Sequence, residues 1–416
     1  MDPDPPLAER HDPYAAFRIS SFRHYLTGNF IFLVGLQMQK VALLWEIYER
    51  TGSALHLGYV GLAQFAPQLV LAPFGGHVVD TYHRKRVLFA ALGVSLLASF
   101  GLALDSVRPA PLWVFYTLLV VVGAARSFWM PARSAILPRL VPKDIFRNAV
   151  SWNSSVFELA SIGGPAVGGL LIGLFHRGSP IYLFNVAAAL TFILLISRLR
   201  YDHDPPERTA LSIASLAAGF TFLKRTRILM AAMLLDTFAV LLGGATALMP
   251  VYAKDILHVG PRELGWLLAA PALGAMTAAF LQAHRPPWQY AGRALLGSVA
   301  GFGLVTIAFG VSTNLWLSLA LLVLLGACDN ISVVLRGTLV QVLTPDAMRG
   351  RVSALNGLFI GTSNELGAFE SGLVAQWFGP VLSVVSGGVG TLVVVAAMAR
   401  AFPELLRAGR LDRPID

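Results

Sequence analysis

Long apolar stretches alternate with short polar connections along the whole chain. At a rise of ~1.5 Å per residue, a helix of about 20 residues crosses the ~30 Å hydrocarbon core of a bilayer. The pattern therefore predicts an all-α, polytopic membrane protein. Its twelve predicted transmembrane helices lie near residues 23–48, 54–79, 86–106, 111–132, 148–175, 180–198, 227–252, 263–284, 291–311, 314–336, 351–378 and 381–402.

The second half of the sequence echoes the first at an offset of 203 residues. Arg133 falls on Arg336 and Gly169 on Gly372 at this offset. In a chain this apolar, a duplication of such long period is a mark of membrane transporters that are built from two related helical bundles. We therefore expect two pseudo-symmetric six-helix bundles.

The longest polar connection, 199–226, separates the two halves. Within it Leu216, Phe220 and Leu223 recur at helical spacing beside Lys224, which predicts an amphipathic helix on the membrane surface. The predicted division is a cytoplasmic amino-terminal tail (1–22), a first bundle (23–198), a cytoplasmic linker (199–226), a second bundle (227–402) and a cytoplasmic tail (403–416).

Composition supports lipid as the main solvent of the side chains. The mean hydropathy is +0.65, and only 13% of residues are charged. A soluble protein of this composition would have more apolar surface than one core could hide. The single cysteine, Cys328, excludes an intramolecular disulfide and a cysteine-cluster metal site. No metal and no cofactor are expected.

The net charge of +9 follows the predicted topology. Of the 32 Lys and Arg residues, 25 fall on the side of the chain termini and five on the other side, while Lys40 and Arg126 lie inside predicted helices. By the positive-inside rule, both termini face the cytoplasm. The basic excess is therefore topological and predicts no nucleic-acid partner.

A signature lies on the cytoplasmic side, between the second and third predicted helices. It resembles the major facilitator superfamily pattern G-x-x-x-D-x-x-G-R-[RK], with His83 where glycine is usual, and consists of Gly76, Asp80, Arg84 and Lys85. The resemblance implies a latch in which Asp80 faces the start of the eleventh helix, near 348–352. A carboxylate there can face the positive amino-terminal end of a helix. The alternative is a simple basic topology anchor.

The fifth predicted helix carries a run that resembles the superfamily's antiporter signature G-P-x-x-G-G: Gly164, Pro165, Gly168 and Gly169. Proline bends a helix and glycines allow close backbone approach, so this run predicts a hinge and seal between the bundles. Plain helix packing is the alternative. The long stretches 235–250 and 349–372 look like the bacterial exporter branch that includes the enterobactin exporter and macrolide efflux (drug:proton antiporter) proteins.

Ionisable side chains deep in a membrane helix cost several kcal/mol unless they are paired, hydrated or in a cavity, so each is a functional candidate. The proton-coupling candidates are Asp236, Asp329, Glu365 and Glu158. In the superfamily, helices one, four, seven and ten line the central cavity, which makes the cavity candidates Gln37, Gln39, Lys40, Arg126, Asp236, Asp329 and Asn330.

Asp236 is the preferred proton site in this interpretation. The 203-residue offset places Arg126 on Asp329, so opposite charges at equal depth are expected to meet across the cavity. Shielding from water favours a neutral carboxylate and a nearby arginine favours a charged one, so separating such a pair can load or release a proton. Structural ion pairs or hydrogen-bonded packing are the alternatives for these residues.

These features predict a proton-coupled exporter of a small amphipathic compound, a siderophore or a drug-like molecule. It is expected to work by alternating access, as a monomer in the bacterial inner membrane. A lysophospholipid flippase of the same fold and a non-transporting receptor or assembly factor are the alternatives. An enzyme is not expected, because the sequence has no H-E-x-x-H, G-x-S-x-G or G-x-x-x-x-G-K motif.

Overall fold

The computed structural model describes residues 12–199, 213–286, 288–407 and 409. This part of the chain is helical and contains no strand, and the prediction of an all-α membrane protein is confirmed. Its twelve long helices are α1 (Ser20–Thr51), α2 (Ala54–Thr81), α3 (Arg84–Val107), α4 (Leu112–Ile136), α5 (Phe146–Phe175), α6 (Ser179–Ser197), α7 (Arg227–Ile256), α8 (Pro261–Ala283), α9 (Ala291–Gly310), α10 (Leu315–Leu343), α11 (Asp346–Phe378) and α12 (Pro380–Ala401).

Eleven of these helices, all except α11, are long and apolar enough to cross a membrane, judged on the described residues. The exception has 33 residues and carries charges in its first two turns and again at Glu365 and Glu370. Because α10 ends on one face of the membrane and α12 begins on the other, α11 must also cross. The described part of the chain therefore contains twelve membrane-crossing helices.

Short helices occur near the predicted tails and linker. A linker helix spans Ile213–Arg225 and lies against α11, where a Cβ built on Gly219 would be 3.0 Å from Leu355 Cδ1. Other short helices cover Ala15–Arg18 and Pro403–Arg407. Residues 1–11, 200–212 and 410–416 of the predicted tails and linker lie outside the described residues. The predicted domain boundaries stay predictions.

Helix α7 is broken near its middle. It is α-helical to Leu242, forms a 3₁₀ turn over Ala245–Leu248 and ends in π-helical backbone over Tyr252–Ile256. The break follows two glycines, and a Cβ on Gly244 would lie 2.5 Å from the Gly367 carbonyl oxygen of α11. Glycine at this point lets the two backbones approach closely.

The repeat is visible in how the helices pack within each bundle. Gly123 of α4 presses on the backbone of Gln64 in α2, and Gly326 of α10 presses on the backbone of Pro271 in α8. A Cβ on either glycine would overlap the opposing carbonyl. The two halves therefore join their second and fourth helices through similar close contacts, made by glycines that are 203 residues apart.

The two membrane faces can be named by the chain. The terminal side is where α1 begins at Ser20 and α12 ends at Ala401, and the distal side is where α1 ends at Thr51. On the distal side the bundles touch: Ser53 Oγ donates to Gln376 Oε1 at 2.7 Å, and the Tyr48 hydroxyl donates to the Asp255 carboxylate. The space between the bundles is thus closed on the distal side.

Candidate functional site

A cavity of about 210 Å³ lies between the two bundles, beneath the distal closure. It combines one cationic side chain with hydroxyl, amide and apolar groups from helices of both halves. Its lining is Gln37, Lys40, Val41, Ser161, Pro165, Thr246, Met249, Leu267, Leu268, Pro271 and Ala272. Helices α1, α5, α7 and α8 supply these residues. Helices α1 and α7 therefore contribute as expected, while α4 and α10, with Arg126, Asp329 and Asn330, do not line this cavity, and α5 and α8 do.

Helix α1 turns two of its three predicted cavity residues toward this space. Gln37 lines the cavity and donates from Nε2 to Ser161 Oγ at 2.9 Å, and Lys40 lines it as an exposed cation. Gln39 does not. It is 3% exposed, and its Oε1 accepts from Ser99 Oγ at 3.0 Å and from Asn185 Nδ2 at 2.5 Å inside the first bundle.

The expectation that Gln39 faces substrate is therefore wrong. At 100° per residue, Gln39 is rotated by about 200° from Gln37 around α1, so the two side chains point to opposite faces of the helix. The sequence spacing could have predicted this, because residues on one face of a helix recur every three to four positions, as Gln37, Lys40 and Val41 do, and Gln39 does not fit that spacing.

Three charged residues from different helices face the central space at similar depth. Lys40 of α1 and exposed Arg126 of α4 come from the first bundle, and half-buried Glu365 of α11 comes from the second. The charge of Glu365 acts on both cations, although none of them is within ion-pair distance. The Glu365 carboxylate rests against Gly61 of α2, where a Cβ would lie 2.6 Å from Oε2. Lys40, Arg126 and Glu365, the charge cluster, thus bring a carboxylate of one bundle into the electric field of two cations of the other.

Asp236 has a different environment. Its carboxylate forms an ion pair with Arg336 of α10, and the two side chains are 8% and 3% exposed. Both residues belong to the second bundle, so the pair joins α7 to α10 and does not span the two halves. The topology count placed Arg336 among the charges of the terminal side, but it lies inside α10. Its alignment with Arg133 was the signal that could have found it.

The predicted pair between Arg126 and Asp329 is not formed. No ion pair joins them in the described part of the chain, and Arg126 is influenced by Glu365 and by Arg133 instead. Asp329 is half-buried, and its neighbour Asn330 accepts from Gln282 Nε2 at 3.2 Å. Equal depth in two bundles therefore does not by itself bring two side chains together.

Glu158 of α5 is half-buried. No hydrogen bond or ion pair of its carboxylate occurs within the ranges that the structure covers, and it is not part of the charge cluster around Lys40. No group of three or more metal-ligating side chains occurs in those ranges either.

The glycine-proline run of α5 lies where three helices meet. Gly164 and Gly168 pack on α1, with a Cβ on Gly168 falling 3.0 Å from Met38 Cα. Gly169 faces α8 of the other bundle, where a Cβ would lie 2.8 Å from Gly265 Cα. Pro165 lines the cavity next to them. The run therefore borders both the cavity and the distal closure.

The symmetry-related glycine makes the corresponding contact. Gly372 of α11 faces α2, and a Cβ there would lie 2.8 Å from the Ala54 carbonyl oxygen. The distal closure thus rests on two glycine contacts between bundles, α5 on α8 and α11 on α2. Neither tolerates a side chain without a shift of backbone.

The predicted latch residues lie on the terminal side. Asp80 is exposed, and the structure gives it no hydrogen bond or ion pair with a described residue. Arg84 is 7% exposed and donates from Nη1 to the Ala135 carbonyl at 3.3 Å. Lys85 Nζ donates to the carbonyls of Ser197 and Leu199 at 3.2 and 2.8 Å, and Gly76 faces open space. The two cations thus bind the terminal-side ends of α4 and α6 in their own bundle.

This arrangement has known counterparts. A family described as "Transmembrane secretion effector" matches residues 11–408 of the sequence. The chain belongs to this family. The predicted resemblance to the major facilitator superfamily and to its enterobactin-exporter branch is confirmed.

Two relatives of the chain are named enterobactin exporter EntS, one from Shigella boydii serotype 18 and one from Escherichia coli O1:K1 / APEC. Each is 29% identical over 394 residues, which cover 93% of this chain and 93% of the relative. The chain is a multi-pass transporter of the inner membrane that moves a small molecule, and it is not an enzyme.

Solved structures share the fold. A bacterial homologue of the human lysosomal transporter Spinster, in an inward-facing and unoccupied conformation, matches with a TM-score of 0.73 and 14% identity, over 94% of this chain and 98% of that one. A D-xylose-proton symporter matches with a TM-score of 0.68 and 13% identity, over 93% and 99%. At such identities these likenesses show the fold alone.

Proposed function

We propose that the protein is a proton-coupled exporter of a small amphipathic compound of the siderophore class, working by alternating access. The names of the relatives support the substrate class, and a drug-like molecule is the second member of the same proposal. The excess of Lys and Arg on the terminal side supports cytoplasmic termini. With that orientation the closed distal side faces the periplasm, and the cavity is loaded from the cytoplasm.

The observation that carries this proposal is the position of Glu365. It is the acidic member of the charge cluster, and it stands in the second bundle opposite two cations of the first. A rocking motion of the bundles changes the separation of these charges. Its protonation state and the bundle arrangement are therefore coupled, which is the requirement for proton-driven transport.

Substrate and proton can act on the same attraction. An ionised Glu365 draws Lys40 and Arg126 toward the second bundle and favours the present arrangement. Protonation removes the charge of Glu365, and an acidic group on the substrate would occupy the two cations. Either event removes the attraction between Glu365 and the two cations and frees the bundles to move, while the empty protein with an ionised Glu365 keeps its distal side closed. A carrier that moves only when loaded with one of two ligands exchanges them.

Two further elements fit the alternation. When the cytoplasmic side closes, Asp80 would approach the start of α11 and complete the latch that Arg84 and Lys85 hold in place. The glycine contact between Gly169 and Gly265 would separate as the periplasmic side opens. Close glycine packing suits such a seal, because it relies on shape and leaves no charged group unpaired in the apolar layer.

The remaining acids have secondary roles in this proposal. Asp236 is held by Arg336 within one bundle, so its surroundings change little when the bundles rock, and we assign it to structure. Asp329 is half-buried and has no ion-pair partner in the described part of the chain, which makes it the second candidate for proton transfer. Glu158 lies outside the cluster and ranks behind both.

The test begins with cells that carry or lack the gene for this protein. Efflux of labelled catecholate siderophores, antibiotics and lysophospholipids is measured in both strains. Faster efflux of a siderophore or a drug supports the proposal. Efflux of lysophospholipid alone supports the flippase, and the absence of any difference supports a receptor or assembly role.

The transported compound is then used with purified protein in liposomes. Glu365→Gln should abolish uptake driven by a pH gradient while leaving exchange of labelled for unlabelled substrate. Glu49→Gln, an exposed acid at the distal end of α1, is the matched control and should behave as the unsubstituted protein. Unaltered pH-driven uptake by Glu365→Gln would remove this residue from the mechanism.

A further inference from the structure

The duplicated arginines of the two bundles have unequal partners. Arg336 of α10 is neutralised by Asp236 of α7 and is almost fully buried. Its counterpart Arg133 of α4 meets Asn29 of α1, with Nη1 donating to Asn29 Oδ1 at 2.9 Å. The first bundle has a neutral amide where the second bundle has a carboxylate. The charge of Arg133 is therefore uncompensated at a site where the repeat could have supplied a counter-ion.

The amide of Asn29 is fixed in this orientation. Asn29 is fully buried, and its Nδ2 donates to Asn153 Oδ1 of α5 at 3.0 Å, so its oxygen is left for Arg133. The Arg133 guanidinium also lies over the Trp129 ring, 5.5 Å from the centroid. A guanidinium has five N–H donors, and Asn29 uses one of them. Arg133 is held in a defined position and stays half-buried, with donors to spare.

Arg133 is also the first of three cations that follow one another along the wall of the first bundle. Arg126 and Arg133 are seven residues apart, which is two helical turns or ~10 Å along the same face of α4. Arg126 is exposed and feels the charge of Glu365, so this face of α4 looks toward the space between the bundles. From the terminal side inward, the wall of the first bundle presents Arg133, then Arg126, then Lys40 at the cavity.

The opposite wall does not mirror this charge. At the positions equivalent to Arg126 and Arg133, the second bundle has Asp329 and the neutralised Arg336. At these two levels of the passage the first bundle is thus cationic and the second is neutral to acidic. Such a distribution attracts an anion along one wall and orients it.

We propose that Arg133, positioned by Asn29, is an anion-binding entry site for the substrate. It would take a carboxylate or catecholate group, whose paired oxygens match the planar fork of a guanidinium, before the group moves on to Arg126 and Lys40. The inference rests on the proposed function and names its substrate class, an organic anion. Arg133 is then a specificity-determining residue of the inward-facing state.

The test places a carboxylate next to Arg133 in the first bundle, as Asp236 lies next to Arg336 in the second. Binding to purified full-length protein is measured for 2,3-dihydroxybenzoate and for its uncharged methyl ester. Asn29→Asp places a carboxylate next to Arg133 and should weaken binding of the acid about tenfold or more, while the affinity for the ester changes less than about twofold. Arg133→Gln should produce the same split.

Asn29→Ala is the comparison variant, because it removes the amide that positions Arg133 without adding a negative charge, and it should weaken binding of the acid less than Asn29→Asp does. It should keep the preference for the acid over the ester. Thermal unfolding of the three variants identifies those that are not folded. If Asn29→Ala and Asn29→Asp reduced the affinity for the acid equally, the role of Asn29 and Arg133 would be structural, and the inference would fail. An unsubstituted protein that binds acid and ester equally would also overturn the inference.

The outcome is separable from the test of export. If Asn29→Asp removes charge-dependent binding but the protein exports none of the panel compounds, the entry-site proposal stands and the exporter proposal fails. If the protein carries out proton-coupled export but Asn29→Asp weakens binding of the acid and the ester alike, or of neither, the exporter proposal stands and the entry-site proposal fails.

Discussion

The ion pair between Asp236 and Arg336 allows a quantitative prediction. Asp236→Ala leaves a cation in a place where its side chain is 3% exposed. Removing one partner of a buried pair typically costs ~3–5 kcal/mol, because the other charge stays desolvated without compensation. Little screening by solvent is expected at this exposure, so we expect the free energy of unfolding to fall by about 3 kcal/mol or more.

The double variant Asp236→Leu, Arg336→Met tests the cause. Apolar residues of similar volume remove both charges, and such replacements are often neutral or stabilising by ~1–4 kcal/mol. We expect its unfolding free energy to be within about 1 kcal/mol of the unsubstituted protein or above it. The two sites should therefore be strongly non-additive in a double-mutant cycle.

The assay is equilibrium unfolding in mixed micelles with increasing sodium dodecyl sulfate, followed by circular dichroism. The exposed pair of Arg227 and Glu404, with Nη1 and Oε1 3.0 Å apart and side chains 61% and 39% exposed, is the control. Glu404→Ala should cost less than about 1 kcal/mol. A loss below about 1 kcal/mol for Asp236→Ala, or a double variant that loses the sum of the single losses, would refute the reasoning.

The same double variant separates structure from mechanism. If Asp236 serves the fold alone, the double variant in liposomes should still couple transport to a pH gradient. A stably folded double variant that has lost coupling would return the proton role to Asp236, as the sequence suggested.

Two other predictions concern the bundle interface. Gly169→Ala should destabilise the distal closure, because its Cβ would collide with the Pro261 carbonyl. The measurement uses a Cys328→Ala background with Thr246→Cys in the cavity, and this cysteine should then react faster with a membrane-impermeant thiol reagent added outside. Gly173→Ala, whose Cβ would lie 3.7 Å from Arg262 Cβ, is the control and should not change the reaction rate. The exchange Arg126→Asp with Asp329→Arg should transport no better than either single change, because the two residues do not pair, and rescue by the double change would show that they meet in another state.

The helices were predictable because membrane burial acts on each segment separately. A helix hydrogen-bonds its own backbone, so an apolar run such as α6 specifies a crossing without reference to the rest of the chain. The repeat added the bundle symmetry, and the glycine signatures marked close contacts. Helix ends were less accurate: α10 continues to Leu343, seven residues past its predicted end, so that Arg336 lies within the helix and not at its end.

The partners of polar side chains were less accessible to sequence reasoning. The sequence predicts that Asp236 faces the cavity, yet its carboxylate meets Arg336, an arginine that the topology count assigns to the terminal side. Gln39 and Gln37 are two residues apart on one helix and point to different environments. Which neighbour a side chain reaches depends on the rotation of two helices about their axes and on their separation.

The sequence by itself therefore determined the class of the protein, the number of crossings, the doubling of the bundle and the family. These depend on hydropathy and on residue identity along one chain. The tertiary structure decided which charges are neutralised and which face the passage: Asp236 with Arg336, Arg133 with Asn29, and Glu365 opposite Lys40. Electrostatic energy falls with distance and depends on burial, so only the packing of helices that are distant in sequence could settle these partnerships.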